Sequence, residues 1–202
     1  NRARWKNPTG LYQYGDTLFA VDQGNNRVRT IVPNGTEGPA TTVNIEPGSE
    51  ARLFSIAYTG DGKTNINGIR FTASDLKTAT GFEQGDISSF NLYENDKNTL
   101  TNATQIGLLD SSNFSVGIES FVSVSPARTP EEDQKIYYIL SVALSKHATQ
   151  NHAMRIGAPI GALSTNVGGY GTRIEVDDSK AVHIDVTSTR LSFQRQPKGS
   201  LS

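Results

Sequence analysis

Residues 135–145, KIYYILSVALS, form an almost unbroken apolar run bounded by polar and loop-forming residues. Such a run is too short for a membrane-spanning helix, and its Ile, Tyr and Val content favours an extended strand. An amphipathic edge strand would alternate apolar and polar residues. A run this continuous therefore predicts a central strand with both faces buried. Its expected neighbour is 114–124, where Phe114, Val116, Ile118 and Ser120 fall on one face and a bulge near Ser120 restores the alternation.

Short runs of Val, Ile, Phe, Tyr and Thr recur outward from this strand. They fall at 17–21, 27–32, 42–45, 51–58, 65–72, 89–93, 104–109, 154–160, 173–176 and 181–194. Turn chemistry separates them, as at Asp61-Gly62, Asn67-Gly68 and Pro47-Gly48. No stretch of a dozen residues keeps an apolar 3.6-residue period, because Gly, Thr, Ser and Asn interrupt every candidate helix. This many short strands in 202 residues predicts an all-β chain, an antiparallel β-sandwich of immunoglobulin-like or jelly-roll type. Its expected divisions are an N-terminal arm with a hairpin over 1–40, the sandwich over 41–189 and a C-terminal strand or linker over 190–202.

Composition narrows the function classes. Nineteen basic residues against twenty acidic ones leave no general field to attract nucleic acid. With no cysteine, disulfide frameworks, thiolate metal sites and cysteine nucleophiles are all excluded. No apolar run approaches the roughly 20 residues of a spanning helix. The opening NRARWKNPTG lacks the apolar segment of a signal peptide, so any export signal is expected upstream or already removed.

Two stretches resemble known families. Residues 10–31, GLYQYGDTLFAVDQGNNRVRTI, resemble one NHL repeat, the unit of a class of β-propellers, in the hairpin around Tyr14-Gly15-Asp16 and the D-x-G-N-N-R-V pattern from Asp22. A propeller needs about four or more blades, and no second copy follows. Residues 41–189 resemble the immunoglobulin-like modules of large prokaryotic surface and filament proteins, through FSIAYTGDGKTNINGIRFT (54–72), TGFEQGDISSFNLYEN (80–95) and KIYYILSVALS. The end, VTSTRLSFQRQPKGSLS (186–202), resembles the opening strand of a following tandem module. These resemblances imply an extracellular or cell-surface location and no enzymatic activity. They imply a structural role in a fibre, sheath or surface layer, through self-association or contact with neighbouring modules. The alternative is a module that binds carbohydrate or a surface ligand. An unpaired terminal strand offers N–H and C=O groups for such joining. The residues expected at the joints are Trp5, Leu11, Tyr12 and Leu18 at one end and Leu191 and Phe193 at the other.

Candidate chemistry is sparse. Of the three histidines, His147, His152 and His183, the first two lie five apart without a third ligand nearby and read as solvated loop residues. No G-x-S-x-G elbow is present. Glu119, Glu175, Asp177, Asp178 and Asp185 supply carboxylates, but nothing in their spacing pairs them for glycoside hydrolysis. No cofactor is expected beyond a structural calcium, for which Glu94 and Asp96 are the candidate oxygen ligands. Gly168-Gly169-Tyr170-Gly171 lacks the Lys-Ser/Thr and helix of a phosphate loop and reads as a wide turn. Asn34, Asn102 and Asn113 begin N-x-S/T sequons in expected loops and are the candidate glycan acceptors.

Overall fold

The run at 135–145 does become a central strand. In the computed structural model, which describes residues 5–14, 17–31, 36–38, 43–75, 82–174 and 181–184, strand β11 (Lys135–Leu144) lies between β6 (Glu50–Thr59) and β8 (Ile87–Asn95). Tyr138 through Val142 are all buried. The five-stranded sheet runs β4 (Thr36–Glu37), β6, β11, β8, β9 (Thr104–Asp110), every pair antiparallel. Because β4 pairs with Ile56 and Ser55, the sandwich recruits residues expected in the N-terminal arm.

The facing sheet is built around β7 (Ile66–Asp75). One edge of β7 takes β10 (Glu119–Arg128). The other takes β13 (Leu163–Thr165) and β12 (Ala153–Gly157) at different points along its length. Beyond these lie β14 (Gly168–Tyr170) on one side, and β15 (Ala181–Ile184) with β5 (Val43–Ile45) on the other. Pairing of β15 with β5 is parallel, in contrast to all the other ladders. The chain is thus all-β, and its sandwich is two packed antiparallel sheets with one parallel edge pair.

Burial follows the strand period. Phe54, Ile56 and Tyr58 of β6, Phe90 and Leu92 of β8, and Tyr138, Leu140 and Val142 of β11 point to the same interior as Ile69, Phe71 and Ala73 of β7 and Val122 and Val124 of β10. At its centre Phe90 meets Phe71 at 4.5 Å and Phe114 at 4.9 Å between ring centroids, both tilted. Tilted pairs at this spacing add to the area-based gain of burying the rings.

Four sequence expectations are corrected. Residues 114–124 do not neighbour β11: the strand starts at Glu119 and joins β7 in the opposite sheet. The segment before it turns, because Gly117 adopts φ 78 and donates its N–H to the carbonyl of Ala73. Within β10 the buried residues are Ser120, Val122 and Val124, and the irregularity expected near Ser120 falls instead between Ser123 and Arg128. Asn67-Gly68 is not a turn but lies inside β7. Gly68 is needed there for close approach, since a Cβ would stand 2.2 Å from the Val122 carbonyl oxygen and 2.6 Å from the Phe121 ring. Gly168–Tyr170 forms β14 rather than a wide turn, paired with β13 in a hairpin.

Gly68→Ala is accordingly expected to cost about 1–3 kcal/mol through overpacking of the β7–β10 contact. Urea denaturation checks it, and a change under half a kcal/mol would show that β10 shifts freely.

Candidate functional site

The third sheet is small, and none of its described residues belongs to the main buried cluster of the sandwich. It is a meander of β1 (Pro8–Tyr14), β2 (Thr17–Asp22) and β3 (Arg27–Ile31). The D-x-G-N-N-R-V stretch explains its turn. Asp22 is fully buried, and its carboxylate accepts from the Lys6 N–H at 2.8 Å, the Asn25 amide at 2.8 Å and Arg29 Nε at 2.6 Å. Burial pushes this carboxyl up, but the bonds from Asn25, Lys6 and Arg29 outweigh it and hold the group below the usual Asp range. Asn26 takes the left-handed conformation at φ 49. Gly24 is required because a Cβ would stand 2.7 Å from the Lys6 carbonyl oxygen. The motif therefore clamps Trp5 and Lys6 against the turn, with the Arg29 guanidinium 5.2 Å over the Trp5 ring.

Directly paired residues share a face of a sheet. Leu11 beside Ala20, together with Leu18, makes one apolar face, where Trp5, Pro8, Gly10, Leu11, Leu18 and Ala20 line a groove of about 560 Å³. Tyr12 beside Phe19, with Val21 beside Val28, makes the other. Leu11 is 73% exposed and Tyr12 and Val28 are each 66% exposed. Leu11 on one side and Tyr12, Val21 and Val28 on the other are thus exposed, while Ala20 is buried.

A second constellation pins the sandwich itself. Asp86, in the 3-10 turn before β8, is nearly inaccessible and lies 2.6 Å from His152 Nδ1. Its carboxylate also accepts from the Glu83 N–H at 2.7 Å and the Thr149 N–H at 2.7 Å. Desolvation works against the charge, yet the bonds from Thr149, Glu83 and His152 keep the carboxyl below its ordinary value. His152 is thus no free loop residue but one end of a clasp between the loop after β11 and the start of β8.

On the outer face of the five-stranded sheet, Glu50 Oε1 accepts from Asn91 Nδ2 at 2.9 Å, Tyr93 Oη at 3.0 Å and the Ser141 hydroxyl. Burial and the neighbouring Glu50 carboxylate push the Tyr93 phenol up to about 12. Asn98 folds back to accept from Ser55 Oγ at 2.7 Å, and Asn95 Nδ2 holds the loop by donating to the carbonyls of Thr99 and Thr101.

A pocket of about 320 Å³ opens where the ends of β8 and β10 meet the start of β11. Glu94, Arg128, Gln134, Ile136 and Tyr138 line it, with Pro130 and Glu131 nearby. Arg128 Nη2 stands 3.6 Å from Glu94 Oε1. The Tyr138 hydroxyl and Arg128 Nε are both shielded from solvent and meet no hydrogen-bond partner. Desolvation raises the Tyr138 phenol well above its ordinary value, and the Glu94 charge adds to that.

No family model and no curated protein matches the chain. Among solved structures it is similar to the Hadza microbial sialidase Hz136, at 13% identity and a TM-score of 0.48, over 74% of this chain. The chain spans 30% of that protein.

The structure brings Trp5, Leu11 and Leu18 together along one groove, with Tyr12 on the opposite face, whereas Leu191 and Phe193 lie outside the described residues. Glu94 faces Arg128 and Asp96 is exposed; among the described residues no three or more of His, Cys, Asp and Glu converge as a metal site. Asn102 and Asn113 are exposed, and Asn34 lies outside the described residues. Among the described residues no helix is long and apolar enough to cross a membrane. The Asp86–His152 clasp and the Tyr138 pocket escaped the sequence reading because their members come from separate strands and loops.

Proposed function

We propose that this chain is a structural module of an extracellular fibre, sheath or surface layer, joined to its neighbours through the three-stranded N-terminal sheet. One observation carries the reading: that sheet leaves Leu11 exposed on one face and Tyr12, Val21 and Val28 on the other, while none of its described residues belongs to the sandwich core. A sheet with one apolar face is satisfied by one covering layer; one with two needs a neighbour on each side. Leu11, Tyr12 and Val28 are too exposed to be part of a finished core, and monomeric proteins seldom leave such patches without a partner. The clamp at Asp22 supports the same reading, since it gives the sheet a fixed shape before any partner arrives. The exposed sequons at Asn102 and Asn113 fit an exported chain.

The test is sedimentation velocity with electron microscopy on the native material and on a Leu11→Asp, Tyr12→Asp variant. Burying one large apolar side chain is worth about 1.5–3 kcal/mol, so association is expected to weaken at least tenfold while the sandwich keeps its thermal transition. Unchanged assembly in the double variant would remove the N-terminal sheet from the interface. A monomer in both forms would overturn the structural reading.

A further inference from the structure

We propose that the pocket between β8, β10 and β11 is a binding site for one ring of a neutral sugar, or a polyol of that size. The proposal starts from Tyr138, a fully buried residue at the pocket lining whose hydroxyl has no partner. Leaving such a group unpaired costs about 1–3 kcal/mol, and folded proteins hold few of them. Phenylalanine would fill the same apolar space without that cost. Arg128 Nε is unpaired beside it, and the 3.6 Å separation from Glu94 is too long for a direct hydrogen bond. Three polar groups thus converge on one cavity with bonding capacity to spare.

Their chemistry selects the ligand. Glu94 accepts only, Arg128 donates only, and the Tyr138 hydroxyl does both. Gln134 adds a spare amide donor, its oxygen already accepting from the Glu131 N–H at 3.1 Å. Adjacent hydroxyls, each donor and acceptor at once, satisfy this set without breaking the ion pair. Free anions are disfavoured, because Glu94 and Glu131 outnumber Arg128 at the lining, and a metal cation would displace the guanidinium. Ile136 and Pro130 offer apolar surface to the ring carbons. A volume of about 320 Å³ sits at the low end of small-ligand pockets and suits one ring rather than an extended chain. Since β8 and β11 are hydrogen-bonded neighbours, Glu94 and Tyr138 are held in register as a directly paired couple.

Saturation-transfer NMR on the intact chain with glucose, galactose, mannose, xylose and N-acetylglucosamine, each tested alone, checks the proposal. Sialic acid and inorganic phosphate serve as anionic probes. At least one neutral sugar is expected to bind, with millimolar affinity. Glu94→Gln is expected to weaken it ten- to a hundredfold, the loss of a hydrogen bond to a charged group. Tyr138→Phe is expected to weaken it about fivefold or more while the melting temperature holds or rises, since the orphaned hydroxyl is gone. No transfer from any neutral sugar at tens of millimolar would overturn the proposal. So would preferential binding of either anion, or sugar binding that neither substitution alters.

Discussion

Asp86→Ala is expected to remove about 3–5 kcal/mol of stability, the cost of breaking a buried charged contact by deleting one partner. The carboxylate joins three backbone or ring donors from two separate segments, at Glu83, Thr149 and His152. Alanine leaves all three donors without the acceptor that the buried carboxylate supplied. The main-chain bonds from Ser145 N to the Asp86 carbonyl, at 2.8 Å, and from Gly48 N to the Ser145 carbonyl, at 3.0 Å, then remain to hold the loop. Asp86→Asn keeps one acceptor and is expected to lose about half as much. Guanidinium denaturation of the three proteins gives the ordering; equal stability of the alanine variant and the parent would show that the clasp is dispensable.

The same carboxylate carries a pH dependence whose sign follows from its lowered value. A group bound more weakly by protons in the folded state stabilises that state wherever it is ionised in both. Its contribution is full above the ordinary Asp value of about 3.9. It is lost as pH falls through that range toward the lower folded value. The parent is therefore expected to lose stability more steeply than Asp86→Ala below about pH 4. Parallel denaturation midpoints for the two proteins across that window would exclude Asp86 as the source.

The second large effect lies in the aromatic centre. Phe90→Ala is expected to cost about 3–5 kcal/mol, the transfer term plus the cavity left between Phe71 and Phe114. Phe90 is wholly buried and touches both sheets' side chains, so neither sheet alone can collapse into the space. Phe90→Leu refills much of the volume and should cost clearly less. Calorimetry of both variants tests the point, because equal losses would mean that ring geometry rather than volume holds the centre.

Strand identity was legible where the cause is local. The continuous apolarity of 136–144 marks a strand buried on both faces, and that property needs no knowledge of partners. Choosing the partner requires more. The 114–124 stretch alternates well, yet Gly117 turns the chain ahead of Glu119, and a glycine at 68 on a remote strand lets β10 approach β7. Neither fact is visible from alternation. Among site residues, Trp5, Leu11, Tyr12 and Leu18 stood out because apolar side chains in a polar arm have no local use. Asp86 and His152 are 66 residues apart, and only the folded register brings them together. Glu94 was noticed for its carboxylate; its setting beside Arg128 and Tyr138 depends on three different strands meeting at one end.

The parallel pairing of β5 with β15 has a mechanical consequence. Val43, Asn44 and Ile45 run alongside Val182, His183 and Ile184 in the same direction. Tension that pulls backward on residue 43 and forward on residue 184 slides these two strands past each other along their length. Their ladder bonds must then yield together, whereas an antiparallel pair pulled from one common end peels open bond by bond. A module strung between neighbours would meet such a load in shear, the more resistant geometry. In single-molecule pulling through residues 43 and 184, the first barrier should accordingly sit at this short edge ladder.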